Sequence, residues 1–230
     1  MPGPELSIED VIRRIGEIGI IPVVRASSVE EANRAVEAIC SGGIPVVEIT
    51  MTVPNAPQVI SHIAKSLPHM IVGGGTVLDS ETALRCLDAG AKFLTSPGLV
   101  MEVVEVALKQ GAVVFPGVLT ATEVIAAWKA GVDFVKIFPC SQVGGPAYIR
   151  SLKVPLPQIP LIASGGVNQH SAASFISAGA SALGIGQELI PQEALRRKQE
   201  EQILELSRRF LHIVKSAREA AVPARNSEQD

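Results

Sequence analysis

Short runs rich in Val and Ile alternate with amphipathic stretches along almost the whole chain. The strand-like runs cover residues 20–26, 46–51, 71–77, 93–96, 113–118, 134–138, 161–164 and 182–185. Between them, apolar positions recur at helical spacing over 29–40, 56–66, 81–89, 100–109, 121–129, 147–152 and 172–178. A leading helix over 7–18 and a long closing helix over 193–217 flank the series. Gly42, Gly90, Gly111, Gly131 and Gly179 follow helical stretches, where a left-handed cap suits glycine. A helix between successive strands requires crossovers, and hence a parallel sheet. Eight such units predict an α/β fold, a closed (β/α)8 TIM barrel with an extra N-terminal helix. The rival is an open doubly wound sheet, which gathers its ligand glycines in one βα turn. Here special residues recur after nearly every strand, which favours the barrel. Residues 1–218 read as a single domain, and 219–230 as a polar tail expected to lack order.

A length of 230 residues suits one large domain. The net charge of −3 implies no basic face, so neither nucleic acid nor an anionic membrane surface is the expected partner. Aromatics make up only 3% of the chain, too few for a platform that stacks bases. Cys40, Cys86 and Cys140 lie far apart, form no CxxC or metal-ligand spacing, and read as small apolar thiols of a reduced protein. The first residues lack the basic and apolar regions of a signal peptide. No apolar run approaches the ~20 residues of a membrane span. A soluble, cytoplasmic protein is expected.

In a barrel of this kind the site lies at the C-terminal ends of the strands. Those ends carry Arg25; Glu48, Thr50 and Thr52; Gly73, Gly74, Gly75 and Thr76; Ser96, Pro97 and Gly98; Pro116 and Gly117; Lys136; Ser164, Gly165 and Gly166; and Gly184 and Gly186. Lys136 shares a strand face with Phe134 and Phe138. An ammonium flanked by apolar side chains in a central strand is poorly hydrated, which favours the neutral amine that attacks a carbonyl. Two other readings stand beside this one: a lysine neutralised by a buried carboxylate, or one whose head reaches solvent at the strand end. Glu48, in a run of Val and Ile, poses the same problem with the opposite charge. Barrel closure can bring the two together, where a carboxylate shuttles protons for an amine. A purely structural ion pair is the competing account.

The turns at Gly165 and Gly166, and at Gly184 and Gly186, follow the seventh and eighth strands. That is the frequent phosphate site of this fold, where backbone N–H groups and a helix N-terminus converge. Tight turns that need glycine for backbone reasons alone also explain them. The run Gly73, Gly74, Gly75 is not followed by the Lys of a P-loop, and Thr76 offers its hydroxyl to a ligand carboxylate. His62, His69, His170 and His212 show no metal-ligand pairing and read as surface residues, while Trp128 and Tyr148 read as packing residues.

The motifs IPVVRA, VVEITMTVPNA, IVGGGTV, SPG, FPGVLTATE, VKIFP, SGGV and GIGQELIP follow one another between about Ile12 and Pro191. In this order they resemble the 2-keto-3-deoxy-6-phosphogluconate (KDPG) aldolases, which often double as 4-hydroxy-2-oxoglutarate (KHG) aldolases. The resemblance implies that Lys136 is a Schiff-base lysine and Glu48 the general acid/base. It makes Arg25 and Thr76 partners of the substrate carboxylate and nearby oxygens, lets Pro97 and Phe138 shape the pocket, and makes Gly165, Gly166 and Gly186 a phosphate cradle. It further implies a small-molecule 2-keto acid substrate, a homotrimer, and no metal or cofactor beyond the covalent Schiff base on Lys136. Two positions depart from the pattern. Thr52 stands where some members carry arginine, a charge that Arg25 is expected to supply. Gln187 stands where many have a serine placed for phosphate, and offers a longer donor. A same-fold aldolase for the 6-phosphogalactonate epimer and a non-catalytic barrel that binds a phosphorylated metabolite are the alternatives.

Overall fold

The computed structural model describes residues 6–221. Its strands are β1 (Ile20–Val24), β2 (Val46–Thr50), β3 (Ile71–Gly75), β4 (Phe93–Thr95), β5 (Val113–Phe115), β6 (Gly117–Val118), β7 (Val135–Ile137), β8 (Leu161–Ser164) and β9 (Ala180–Ile185). All pairings are parallel, in the order β5-β4-β3-β2-β1-β9-β8-β7-β6. The two ends of this order are halves of one stave, so the sheet closes into an eight-staved barrel and the open-sheet alternative falls. The unbroken strand expected over 113–118 is instead split at Pro116: β5 pairs with β4, and β6 with β7. Proline has no N–H for the ladder, and it sits where the stave changes partners.

The helices are α1 (Ile8–Ile18), α2 (Val29–Ser41), α3 (Ala56–Ser66), α4 (Ser80–Asp88), α5 (Met101–Lys109), α6 (Ala121–Lys129), α7 (Pro146–Lys153), α8 (Ala172–Ser177), α9 (Gln192–Arg196) and α10 (Glu200–Ala221). Ser7, Ser28, Asp79 and Thr120 cap α1, α2, α4 and α6 through side-chain oxygens that accept backbone N–H groups. Among the described residues no helix is long and apolar enough to cross a membrane.

Two expectations about helix ends are corrected. Gly90, Gly111, Gly131 and Gly179 have positive φ as expected, but Gly42 is right-handed at φ −73 and Gly43 takes the left-handed turn at φ 97. Gly42 is needed for another reason: a Cβ there would lie 2.5 Å from that of Ser207, where α10 crosses α2. The single closing helix is two helices. The N–H groups of Lys198 and Gln199 bond back to the carbonyls of Leu195 and Ala194, a Schellman stop with Lys198 at φ 53. No glycine marks that break, so helical spacing runs straight through it. The helix α10 extends to Ala221, beyond the domain end expected at 218, and residues 222–230 of the expected tail lie outside the described residues.

Strand alternation divides the core in two. Outward side chains such as Val47, Val72, Leu94, Val135 and Leu183 pack beneath the helices. Inward ones, including Ile21, Val46, Ile71, Phe93, Phe115, Phe134 and Ile162, form a separate cluster with Val11 and Ile15 of α1. The leading helix therefore stoppers the N-terminal mouth of the barrel. Phe93 stacks on Phe115 with centroids 5.0 Å apart, and Phe115 meets Phe134 edge-on at 6.1 Å. Arg218 of α10 ties the same end together, donating to the carbonyls of Gly16 and Ser181 at 2.8 Å each and to that of Glu17.

If α1 is a stopper, Ile15→Ala should lower unfolding free energy by about 2–5 kcal/mol, the usual cost of truncating a buried aliphatic side chain. The midpoint of a denaturant titration checks this, and an unchanged midpoint would show that α1 only covers the barrel loosely.

Candidate active site

Above the phenylalanine layer the inward positions turn polar or empty. Val23 faces Glu48, Glu48 faces Gly73, and Gly117 faces Lys136 in the strand registers. Lys136 and Glu48 thus project into one interior from opposite sides of the barrel, with side chains 8% and 2% exposed. Lys136 Nζ lies 3.6 Å from Glu48 Oε2, donates to Thr95 Oγ1 at 2.9 Å, and stands 5.6 Å from the centroid of the Phe138 ring. A tight charge-assisted bond is shorter, about 2.7–2.9 Å, so the pair touches without closing. The other carboxylate oxygen, Glu48 Oε1, is buried and has no hydrogen-bond partner among the described residues. A buried ion pair that serves structure normally satisfies its remaining lone pairs. This one leaves an acceptor free beside an amine.

Neighbouring glycines make the arrangement possible. A Cβ on Gly75 would lie 2.0 Å from Glu48 Oε1 and 2.5 Å from its carboxyl carbon, so the carboxylate occupies the space a side chain would take. A Cβ on Gly117 would lie 2.3 Å from the carbonyl oxygen of Pro97, which lets the fourth and fifth staves close together above the split.

The remaining expected residues divide into two groups. Thr76 follows Gly75 at φ 57, half-buried, and Pro97 is half-buried on the adjoining stave. Both lie on the Glu48 side. Phe138, Arg25, Gly165, Gly166 and Gly186 instead line one open cavity of about 270 Å3, with Gln187 and Glu188 at its rim. Arg25 is exposed, and its Nη1 lies 3.1 Å from where a Cβ of Gly186 would sit. The guanidinium thus stands over the last glycine turn. Thr52 is held through Thr50, whose Oγ1 lies 2.6 Å from that of Thr52 and donates to the carbonyl of Val24 at 3.0 Å.

The glycine turns differ from expectation in one respect. No helix N-terminus sits on Gly166, because the short α8 begins only at Ala172. The intervening turn is closed by Asn168 Oδ1, which accepts from the N–H groups of His170 and Ser171. Gly165 and Gly166 adopt φ 86 and 81, and a Cβ on Gly166 would lie 2.4 Å from Ser141 Oγ. Backbone geometry alone therefore requires glycine at both positions, whatever the turn binds. The four histidines are all exposed. Tyr148 is half-buried and anchors the loop after β6 by donating to the carbonyl of Leu119.

Two residues enter the site that a reading of strand ends does not name. Thr95 is fully buried, and alternation from Phe93 through Thr95 to Pro97 would have placed it inward. Glu188 reaches the cavity from a turn held by N–H groups of Leu189 and Ile190 on the Gly186 carbonyl. No periodicity signals it.

The architecture is a closed parallel barrel with an amine and a carboxylate buried together in its interior. Residues 11–206 match the KDPG and KHG aldolase family. The 2-dehydro-3-deoxy-phosphogluconate aldolase of Treponema pallidum is 30% identical over 204 residues, covering 89% of this chain and 97% of its own. The 2-dehydro-3-deoxy-6-phosphogalactonate aldolase of Escherichia coli is 35% identical over 175 residues, covering 75% of this chain and 85% of its own. A KDPG aldolase from Legionella pneumophila, solved with pyruvate as a covalent carbinolamine, superposes with a TM-score of 0.80 at 26% identity, over 86% of this chain and 96% of that one. The chain belongs to the KDPG and KHG aldolase family, whose members are carbon–carbon lyases.

Gly75→Ala should displace the Glu48 carboxylate while leaving the strand intact, since the position has ordinary strand geometry. Aldol cleavage is expected to fall by at least about tenfold, part of the ~10²–10⁴ typical of a positioned acid/base, with little change in melting temperature. Wild-type turnover in this variant would show that the present seat of Glu48 does not matter.

Proposed function

We propose that the chain is a class I aldolase that cleaves KDPG to pyruvate and glyceraldehyde 3-phosphate. 4-Hydroxy-2-oxoglutarate, which yields pyruvate and glyoxylate, is its second substrate. The observation that carries this reading is the buried, unpartnered oxygen of Glu48 beside the amine of Lys136. The covalent pyruvate adduct named for the Legionella relative supports it.

The neutral amine of Lys136 adds to the C2 ketone, and loss of water from the carbinolamine leaves a protonated imine. Glu48 removes the proton of the C4 hydroxyl. The C3–C4 bond then breaks, its electron pair moves into the imine to give an enamine, and the aldehyde departs. Protonation at C3 and hydrolysis release pyruvate and restore the amine. The iminium is the electron sink, so the sequence of bonds closes without a metal or other cofactor. Thr76 and Pro97 face the pyruvate half. Phe138 and the turns at Gly165, Gly166 and Gly186 face the distal half, where backbone N–H groups receive the phosphate; Arg25, expected beside the substrate carboxylate, lines this same cavity and is reassigned to the phosphate. By the same resemblance the enzyme is a cytoplasmic homotrimer.

A second reading is favoured by the E. coli relative named for the 6-phosphogalactonate epimer. Both acids share C1–C3, and the difference falls at C4, next to Glu48. A panel of both phosphorylated acids, their unphosphorylated counterparts and 4-hydroxy-2-oxoglutarate, assayed for pyruvate release, ranks these substrates. Equal kcat/KM with and without phosphate would reduce the glycine turns to backbone devices. Gly166→Val does not test this, because Ser141 and the positive φ would strain the fold first.

Lys136→Ala and Lys136→Arg should both abolish cleavage, since a guanidinium forms no imine, and neither should be reduced onto pyruvate by borohydride. Trapping that persists in Lys136→Ala would reassign the nucleophile. Glu48→Gln should still be trapped with pyruvate, yet lose roughly 10²–10⁴ in turnover. Near-normal turnover there would place the base elsewhere.

A further inference from the structure

We infer that Thr95 is a positioning residue for the reacting nitrogen, which accepts the single N–H of the protonated imine and so keeps Glu48 free for the substrate. This rests on the Schiff-base reading above. In the structure the nearer partner of Lys136 Nζ is the neutral hydroxyl of Thr95 at 2.9 Å, whereas the carboxylate is at 3.6 Å. The hydroxyl is fully buried on an inward position of β4, and that strand is fixed by its pairing with β3 and β5.

The argument follows from counting protons. An ammonium has three N–H donors and can serve several acceptors, but a protonated imine has one. In a dry interior that N–H needs an acceptor, and two are within reach: Thr95 Oγ1 and the Glu48 carboxylate. Were the carboxylate to take it, a charge-assisted bond would hold Glu48 at the nitrogen. It would also neutralise the positive charge that draws electrons from the breaking C3–C4 bond. With Thr95 as acceptor the N–H is satisfied by a neutral group, the iminium keeps its charge, and Glu48 Oε1 stays open toward the C4 hydroxyl. Before imine formation the same oxygen accepts an N–H of the amine, as it does in the structure, and leaves the nitrogen lone pair free for addition. Threonine thus offers one neutral acceptor at both stages, and its β-branched shape suits a strand as valine's does.

The test compares Thr95→Val, which removes the hydroxyl and keeps the shape, with Thr95→Ser, which keeps the hydroxyl and loses the methyl. In the full chain, Thr95→Val should lower kcat roughly 10- to 100-fold, the scale of one hydrogen bond to a charged group. KM should change less than about threefold, because ground-state contacts with the acid are untouched. Borohydride with pyruvate should still label Lys136 in this variant. Thr95→Ser should recover kcat to within about threefold of wild type. If Thr95→Val does not fold, Thr95→Ala takes its place, and Thr95→Ser must still exceed it in kcat by about tenfold. Wild-type kcat in Thr95→Val, or equal losses in the valine and serine variants, would overturn the proposal and leave Thr95 a packing residue. Failure of borohydride to label the wild-type enzyme would instead overturn the Schiff-base reading itself.

Discussion

An amine and a carboxylate held 3.6 Å apart in the buried interior of the barrel are the constraint on which the rest of the structure depends. Each charge is costly to bury alone, and together they remain incompletely satisfied, since one oxygen of Glu48 has no partner among the described residues. The barrel can hold such a pair only if water is kept out below it and side chains are kept out around it. Phe93, Phe115 and Phe134, with Val11 and Ile15 of α1, do the first. Gly75 and Gly117 do the second by yielding their side-chain space to Glu48 and to the Pro97 carbonyl. Stability at the bottom of the barrel and chemistry at the top are therefore one packing problem.

Much of this was legible in the chain. Alternation within 134–138 places Phe134, Lys136 and Phe138 on one face, and the structure bears that out layer by layer. What escaped has a physical reason in each case. The break at Lys198 uses a left-handed lysine, so no glycine announces it. The split at Pro116 depends on which neighbour each half of the stave pairs with, a property of closure that a linear reading does not contain. Thr95 was within reach, because the alternation that exposes Lys136 also turns Thr95 inward. The strand-end rule instead points one residue further, to Ser96, whose hydroxyl bonds to the carbonyl of Gly98.

On the proposed reading the two ends of the substrate meet different kinds of surface. Around C1 to C4 the contacts are buried, fixed by strand registers and by glycines with no room to spare. The distal cavity is open and lined by exposed residues of both signs, Arg25 and Glu188. Its charge is thus close to balanced, so on that reading a phosphate there would depend more on backbone donors. On that reading, substitution at the rim would retune which acid is preferred without disturbing the amine and carboxylate beneath.

The contacts of Arg218 with Gly16, Glu17 and Ser181 bring the end of α1 and the last turns of α10 to the stoppered mouth of the barrel. The first and last described segments therefore converge on the face away from the chemistry.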